Sequence, residues 1–216
     1  MRVLHFPEPR RLDVWCVENG VDEAIVGGFF LRDPYRPLGE LWVDGQPVAH
    51  EPIAGRYGPL RGSVVIEDGA ARLVERGEAP ERPDGDLVQA GPLLVSGGAI
   101  VFGDDDREGF SADVAQFDSD ITVGRHPRAA LGIARDRLLA VVCDGRRSRV
   151  DGGLSMPELA ELMVELGAES AINLDGGGST TLVHRRHLLN RPYSTQDQPG
   201  PESRTIVTAL AFEPRS

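Results

Sequence analysis

A run of three glycines between two apolar segments is the feature that most constrains how this chain can fold. Residues 171–174 and 182–183 have the composition of strands, and Gly176, Gly177 and Gly178 stand between them. Glycine adopts positive φ angles without steric cost, so backbone N–H groups in such a run can turn toward an anion. A tight hairpin whose glycines serve geometry alone is the alternative interpretation.

Polar side chains crowd this glycine run. Asp175 supplies a carboxylate, Asn173 a carboxamide and Ser179 a hydroxyl, and Thr180 and Thr181 follow directly. Phosphate is the anion that suits such a turn best, because N–H and hydroxyl donors bind its oxygens.

A second Asp-Gly turn begins at Asp144, after the apolar run 138–143. Between the two turns, Ser155 and Glu158 predict a capping box at the start of a helix. A strand, a helix and a strand in that order favour a right-handed crossover, which places the ends of both strands at one edge of a sheet. We therefore expect Asp144 and Asp175 to converge at that edge.

The net charge limits the expected partners. The 216 residues include 34 acidic and 23 basic side chains, which gives a formal net charge of -11. This negative field repels polyanions, so we expect no nucleic acid and no membrane as a partner. An anionic small substrate needs local positive charge, and arginines flank the motifs at Arg125, Arg128, Arg146, Arg147, Arg149 and Arg204.

Taken together, these residues resemble the phosphodiester glycosidase domain family. The family's N-x-D-G-G-G-S motif corresponds to residues 173–179, and the likeness covers about residues 20–212. The other matching segments are Gly27-Gly28-Phe29-Phe30, residues 89–95, residues 127–133, Asp144-Gly145-Arg146, Asn190 and Arg204. One position departs from the pattern. The family usually has Asn before Gly-Gly, whereas this chain has Val26, which removes a polar group from the predicted site.

The resemblance implies hydrolysis of the glycosidic bond of a sugar-1-phosphodiester, so the expected partner is a small phosphorylated sugar conjugate. Its leaving group is a phosphate monoester with a second pKa of about 6, which departs without a strong general acid. Arginines stabilise that group, and a carboxylate attacks the anomeric carbon or activates water. The candidate catalytic residues are Asp175 and Asp144. The candidate substrate-binding residues are Arg128, Arg146, Asn173, Gly176, Gly177, Gly178, Ser179, Gly28 and Arg204.

Two other functions remain open at this point. Asp144 and Asp175 could bind a divalent cation in a metal-assisted phosphodiesterase that breaks the P–O bond. A module that binds phospho-sugars without turnover is the other alternative, and Val26 favours it. No ligand motif indicates a metal or another cofactor. Residues 104–109 begin like a calcium loop, but Ala115 occupies the place of the bidentate Glu.

The rest of the sequence predicts an α+β fold in a single domain over residues 1–216. We expect a mixed, mostly antiparallel sheet with many hairpins, few helices and one β-α-β crossover near residues 138–175. Turn signals predict hairpins at residues 41–48, 64–74, 93–101 and 130–139.

Cys16 and Cys143 lie in apolar, strand-like runs, so we expect reduced thiols in buried strands. The first residues do not resemble a signal peptide, and no apolar run is long enough to span a membrane. We therefore expect a cytoplasmic protein. Nothing in the sequence specifies an oligomeric state.

Overall fold

Antiparallel strands dominate the structure, as the frequent Asp-Gly and Gly-Gly turns predict. The computed structural model describes residues 1–53, 55–103, 107–109, 124–146, 151–192 and 203–213. In this part of the chain, three five-stranded sheets and one two-stranded ribbon are present, and all their strand pairs are antiparallel. The predicted fold class is confirmed.

The spatial order of the strands differs from their order along the chain. From edge to edge, the first sheet consists of β1 (Arg2–Arg10), β17 (Ile206–Phe212), β2 (Glu23–Val26), β15 (Leu182–His184) and β16 (His187–Leu188). The second sheet consists of β11 (Ala99–Ile100), β10 (Leu93–Ser96), β14 (Ser170–Asn173), β12 (Arg128–Ile133) and β13 (Leu138–Cys143). The third sheet consists of β6 (Gln46–Pro47), β5 (Leu41–Val43), β9 (Asp86–Gln89), β7 (Gly62–Glu67) and β8 (Ala70–Glu75). The ribbon pairs β3 (Phe30–Arg32) with β4 (Tyr35–Pro37).

The four predicted hairpins are confirmed as β5–β6, β7–β8, β10–β11 and β12–β13. Asp44 and Gly45 both have positive φ, and so do Asp68 and Gly69. This is the conformation that a two-residue type I′ turn requires, because it matches the twist of the flanking strands.

The helices are α1 (Leu12–Asn19) and α2 (Met156–Glu165). α2 begins where the sequence predicts, because the Ser155 hydroxyl accepts from the Glu158 N–H while the Glu158 carboxylate accepts from the Ser155 N–H. Leu159 and Met163 of α2 are fully buried, whereas Leu166 at its C-terminal end is 38% exposed. No helix in the described ranges has the length and apolar character needed to cross a membrane.

The predicted crossover is confirmed. α2 connects β13 to β14, and both strands run antiparallel to β12, which lies between them. The two strands are therefore parallel to each other. Their C-terminal ends lie at one edge of the second sheet, the edge that is formed by strand ends and not by an outer strand. The N-terminal end of β12 lies at the same edge, since Arg128 pairs with Cys143. Asp144 and Asp175 follow the ends of β13 and β14.

Both faces of the second sheet are buried, and alternate residues enter different cores. Ala129 and Leu131 of β12 belong to the central apolar cluster that all three sheets share, whereas Ala130 belongs to the cluster under α2. In β14, Ile172 belongs to the central cluster and Ala171 to the cluster under α2. Burial on both faces explains why these strands are apolar without alternation.

Two local predictions are wrong. Residues 14–17 lie in α1 rather than in a strand, because Leu12 and Cys16, four residues apart, form its buried face and Gly20 ends it in the left-handed conformation. Cys143 does lie in a strand, but it is half-buried rather than buried, because β13 is the last strand of the second sheet. Both cysteines are free thiols, as predicted.

Candidate active site

The glycine run crosses from the second sheet to the first. β14 pairs with β10 and β12, whereas β15 pairs with β2 and β16. The hairpin interpretation is therefore wrong, and Gly177–Ser179 form a short 3-10 helix at the crossing. Gly177 has the positive φ that the sequence predicts, at +60°, and a Cβ atom there would lie 3.2 Å from Arg146 Nη2. The backbone angle at position 177 and this neighbouring guanidinium both favour glycine there.

Two of the three glycine N–H groups are used inside the protein. Gly176 donates to Asp175 Oδ1 at 2.8 Å, and Gly177 donates to the Pro127 carbonyl at 2.9 Å. The Gly178 N–H has no acceptor among the residues that the structure describes. The prediction that all three N–H groups face a phosphate is therefore wrong for Gly176 and Gly177, whose donors the local fold uses, and it stays a prediction for Gly178.

The Asp175 carboxylate is buried and only half of it is hydrogen-bonded. Its residue is 7% exposed, and Oδ2 has no hydrogen-bond partner in the described part of the chain. Burial raises the pKa of Asp175 to about 6. Four groups act in the opposite direction because they favour the ionised form: the Ser179 hydroxyl, the Arg204 charge, the Gly176 N–H and the Arg32 charge. A desolvated carboxylate oxygen without a partner is typical of functional sites.

Arg128 lies next to the glycine run at the start of β12, because its Cα is 3.9 Å from where a Cβ on Gly176 would be. It is 2% exposed, and its guanidinium donates to the Leu154 and Gly124 carbonyls at 3.0 and 3.2 Å. Extending the β12–β14 register by two residues places Arg128 beside Asp175. Burial and the charge of Arg146 lower the pKa of Arg128 to about 10, so Arg128 is charged at neutral pH. An anion bound between two neighbouring guanidinium groups would reduce their repulsion.

Two other arginines, one before a strand of the first sheet and one at the end of the ribbon, act on Asp175. Arg204 precedes β17 and Arg32 ends β3, and the charges of both favour the ionised carboxylate. Arg204 is among the predicted site residues. Arg32 is missed by the sequence reasoning, although it lies two residues after the Gly-Gly-Phe-Phe segment that the family resemblance singles out.

Gly28 and Asn173, two of the predicted substrate-binding residues, contact other parts of the protein. A Cβ atom on Gly28 would lie 2.6 Å from the Gln89 carbonyl oxygen, and the Gly28 carbonyl accepts from the Thr208 hydroxyl. Asn173 Nδ2 donates to the Gly91 carbonyl at 3.1 Å, whereas its buried Oδ1 has no partner within the described ranges. Contact of Gly28 or Asn173 with a substrate stays a prediction.

Asp144 lies at the predicted sheet edge but has different neighbours from Asp175. Its Oδ1 accepts from the Arg191 N–H at 2.8 Å and from Asn190 Nδ2 at 3.3 Å, and its Oδ2 lies 3.1 Å from the same Arg191 nitrogen. Within the described residues, no hydrogen bond joins the two carboxylates. Asn190 is part of the family resemblance, but the sequence gives no reason to assign it this contact.

The remaining predicted arginines do not add to this cluster. Arg125 forms an exposed ion pair with Glu158 at the start of α2. Arg147 and Arg149 lie outside the described residues, as does most of the calcium-like segment. Across the described ranges, no group of three or more His, Cys, Asp or Glu residues could hold a metal ion.

The sequence matches the family model described as phosphodiester glycosidase over residues 19–213. The chain belongs to the phosphodiester glycosidase family. The resemblance predicted for about residues 20–212 is thereby confirmed, and membership supports a glycosidase-type hydrolase. No curated protein matches the sequence.

Solved structures of other proteins share the fold of this chain. The catalytic domain of zebrafish N-acetylglucosamine-1-phosphodiester alpha-N-acetylglucosaminidase, auto-inhibited by its pro-peptide, has a TM-score of 0.74 and 21% identity, and the match covers 99% of this chain and 73% of that one. A hypothetical protein from Synechocystis has a TM-score of 0.63 and 20% identity, with 97% of this chain and 56% of that one covered.

The departure from the family pattern at Val26 has a structural counterpart. The Val26 side chain is fully buried in the central apolar cluster, where β2 pairs with β17 at Ala209. In this member of the family the position therefore contributes to the core. The neighbouring Gly27 carbonyl still accepts from the Asp175 N–H at 3.0 Å, which ties this segment to the site.

Gly177→Ala should weaken phosphate binding as well as stability, and Gly69→Ala is its matched control. Both glycines have positive φ, at +60° and +72°, so each substitution should destabilise the protein by about 1–2 kcal/mol. Only at Gly177 does the new Cβ meet a guanidinium, since nothing lies within 4 Å at Gly69. We expect about tenfold weaker binding of inorganic phosphate to Gly177→Ala alone, measured by calorimetry. Equal affinity in both variants would contradict an anion site at the glycine run.

Asp175→Asn should be more stable than the parent at neutral pH. Between the ordinary value of 3.8 and the raised pKa of about 6, folded Asp175 keeps a proton that the unfolded chain has released. Stability therefore falls as the pH rises through this window, by about 3 kcal/mol in total. Asn carries no charge at any pH. The free energy of unfolding of Asp175→Asn, measured in urea, should therefore exceed that of the parent by about 3 kcal/mol at pH 7 and equal it below pH 4.

The matched control for this experiment is Asp86→Asn. Asp86 is equally buried, but its carboxylate accepts from the Val3 and Asp44 N–H groups at 2.6 and 2.8 Å. Its substitution should lower stability at pH 7 by about 1–3 kcal/mol. If Asp175→Asn loses stability as Asp86→Asn does, Asp175 is not a desolvated, under-bonded carboxylate.

Proposed function

We propose that this protein hydrolyses the glycosidic bond of a sugar-1-phosphodiester. The observation that carries the proposal is a buried carboxylate with one unpartnered oxygen, two residues before Gly177, where the Arg146 guanidinium approaches the glycine run and acts on the neighbouring Arg128. Membership of the phosphodiester glycosidase family supports the reaction class. The similar zebrafish protein is an N-acetylglucosamine-1-phosphodiester alpha-N-acetylglucosaminidase, which supports the class of substrate.

In this proposal, Arg128 and Arg146 bind the departing phosphate. Planar guanidinium groups donate paired hydrogen bonds to phosphate oxygens, and the Gly178 N–H supplies a backbone donor. These donors stabilise the charge that develops when the bond between the anomeric carbon and oxygen breaks, because its electron pair passes to the phosphate. The phosphate monoester that leaves needs no general acid, since its second pKa is about 6.

Asp175 is the reacting carboxylate in the proposed mechanism. Glycosidases commonly use two carboxyl groups, one of which protonates the leaving oxygen. Here the leaving group departs without a general acid, so one carboxylate suffices to break the glycosidic bond. With a pKa of about 6, Asp175 is mostly ionised at pH 7 and remains basic enough to take a proton. If Asp175 attacks the anomeric carbon, the phosphate leaves and water then cleaves the resulting glycosyl ester, which frees the carboxylate and gives a sugar of retained configuration. If Asp175 instead takes a proton from water, the water oxygen bonds to the anomeric carbon as the phosphate leaves, and the configuration is inverted.

The test of the proposal is a turnover screen in water labelled with heavy oxygen. The substrates are sugar-1-phosphodiesters and nucleotide sugars, with and without chelator, and mass spectrometry locates the label. Label in the sugar supports the proposal. Label in the phosphate means that the P–O bond breaks, and it would replace the proposal with a phosphodiesterase. Tight binding of these compounds without any turnover would identify a binding module instead.

The pH profile of this turnover should follow Asp175. Below a pH of about 6, kcat/KM should fall tenfold per pH unit as the carboxylate takes up a proton, and it should level off above. Asp175→Asn should lower kcat by about a hundredfold or more at pH 7, whereas the buried control Asp86→Asn keeps the parental kcat. An active Asp175→Asn variant with an unchanged profile would remove Asp175 from the mechanism.

Lysine substitutions test the phosphate site. Arg128→Lys and Arg146→Lys should each weaken binding of inorganic phosphate by about tenfold, because an ammonium group cannot reproduce a bidentate contact. Arg76→Lys is the control, since Arg76 is a partly buried arginine that directly follows β8 and pairs with Glu40, the residue before β5. Calorimetric titration of the three variants measures the effect. Parental phosphate affinity in both site variants would assign these arginines to structural roles.

A further inference from the structure

We propose that Asp144 and Asn190 are positioning residues that fix the far end of the glycine run, and that Asp144 is not a second reacting carboxylate. This inference rests on the proposed function, because it divides the roles of the two acidic residues within the same site. The hydrogen bonds of Asn190 connect the end of β13 to the segment that follows the glycine run.

Asn190 uses its whole side chain in these contacts. Its Nδ2 donates to the Thr180 carbonyl at 2.9 Å and to Asp144 Oδ1 at 3.3 Å, and its Oδ1 accepts from the Leu182 N–H at 2.9 Å. An amide side chain has two donor hydrogens, and both are engaged. Thr180 directly follows the 3-10 helix at Gly177–Ser179, so Asn190 holds the backbone where the glycine run ends.

Asp144 in turn holds Asn190 and its neighbour in place. Its Oδ1 accepts from Asn190 Nδ2 and from the Arg191 N–H. β13 belongs to the second sheet, whereas β15 and β16 belong to the first. The Asp144 contacts therefore connect the same two sheets that the glycine run connects.

The two carboxylates therefore differ in how far their hydrogen-bonding capacity is used. Asp175 has an oxygen without a partner in the described chain, and a reacting group needs such an oxygen. The Asp144 carboxylate already receives hydrogen bonds from a backbone N–H and a side-chain amide. Loss of these contacts would leave the Asn190 amide under-bonded and release residues 180–182. The Gly178 N–H and the Ser179 hydroxyl would then lose their positions relative to Asp175.

The conservative variant distinguishes positioning from chemistry. Asp144 Oδ1 accepts from both Arg191 and Asn190, and Oδ2 only shares the Arg191 N–H at 3.1 Å, so Asp144→Asn can keep both donors through its Oδ1. We expect Asp144→Asn to retain kcat within about threefold, and Asp144→Ala to lose about tenfold to a hundredfold with a smaller change in KM. If Asp144→Asn is as inactive as Asp144→Ala, the negative charge itself is needed and the proposal is overturned.

A double-mutant cycle provides the second test. Asp144→Ala and Asn190→Ala should each lower kcat/KM, and the double variant should be no worse than the poorer single one, because both act through the same contacts. The fall in kcat/KM below a pH of about 6 should persist in all three variants. Losses that multiply in the double variant, or disappearance of that pH dependence in Asp144→Ala, would overturn the proposal.

Two measurements in the same variants do not depend on turnover. Amide hydrogen exchange at Leu182 and Arg191 should accelerate in Asp144→Ala but not in Asp144→Asn, and the Kd for inorganic phosphate should rise about tenfold in the Ala variant alone. If the parent hydrolyses no sugar-1-phosphodiester, the proposed function fails while these measurements still decide the inference. Unchanged exchange and unchanged phosphate affinity in Asp144→Ala would overturn it.

Discussion

Burial of one carboxylate at the crossing between two sheets is the constraint on which the rest of the site depends. Asp175 is 7% exposed, and desolvation raises its pKa despite the opposing effects of Ser179, Gly176 and two arginines. A charged group in such a place destabilises the fold unless its surroundings offset the lost hydration. The charges of Arg204 and Arg32 supply part of that offset. A phosphate group that enters the site would then bind to positive charge that the fold has already assembled.

The positions of these groups follow from strand register. Arg128 opens β12, and the strands on either side of β12 end at Asp144 and Asp175 because α2 carries the chain across as a parallel crossover. The second sheet is buried on both faces, so its strands are held by two apolar cores rather than by flexible loops. Side chains on such elements keep their geometry when a ligand binds, which is the preorganisation that electrostatic catalysis requires.

Local features of this protein could be predicted from its sequence, and long-range ones could not. The Ser155–Glu158 capping box, the Asp-Gly hairpins and the positive φ of Gly177 depend on a few adjacent residues. The glycine run could not be distinguished from a hairpin tip, because only the pairing of β15 with the distant β2 decides which sheet it joins. The contribution of Arg32 depends on the same kind of distant packing, and so does the contact between Asn190 and Asp144. The use of the Gly176 and Gly177 N–H groups inside the fold depends on it as well.

In the proposed mechanism, the buried carboxylate and the two arginines act on opposite sides of one scissile bond. The most direct measurement is a crystal structure with a sugar-1-phosphonate diester, in which a methylene group replaces the anomeric oxygen and prevents cleavage. We predict phosphonate oxygens about 3 Å from the Arg128 and Arg146 guanidinium nitrogens, and the anomeric carbon about 3.5 Å from Asp175 Oδ2. An analogue bound with its anomeric carbon facing Asp144, or with its phosphonate away from both arginines, would contradict this mechanism.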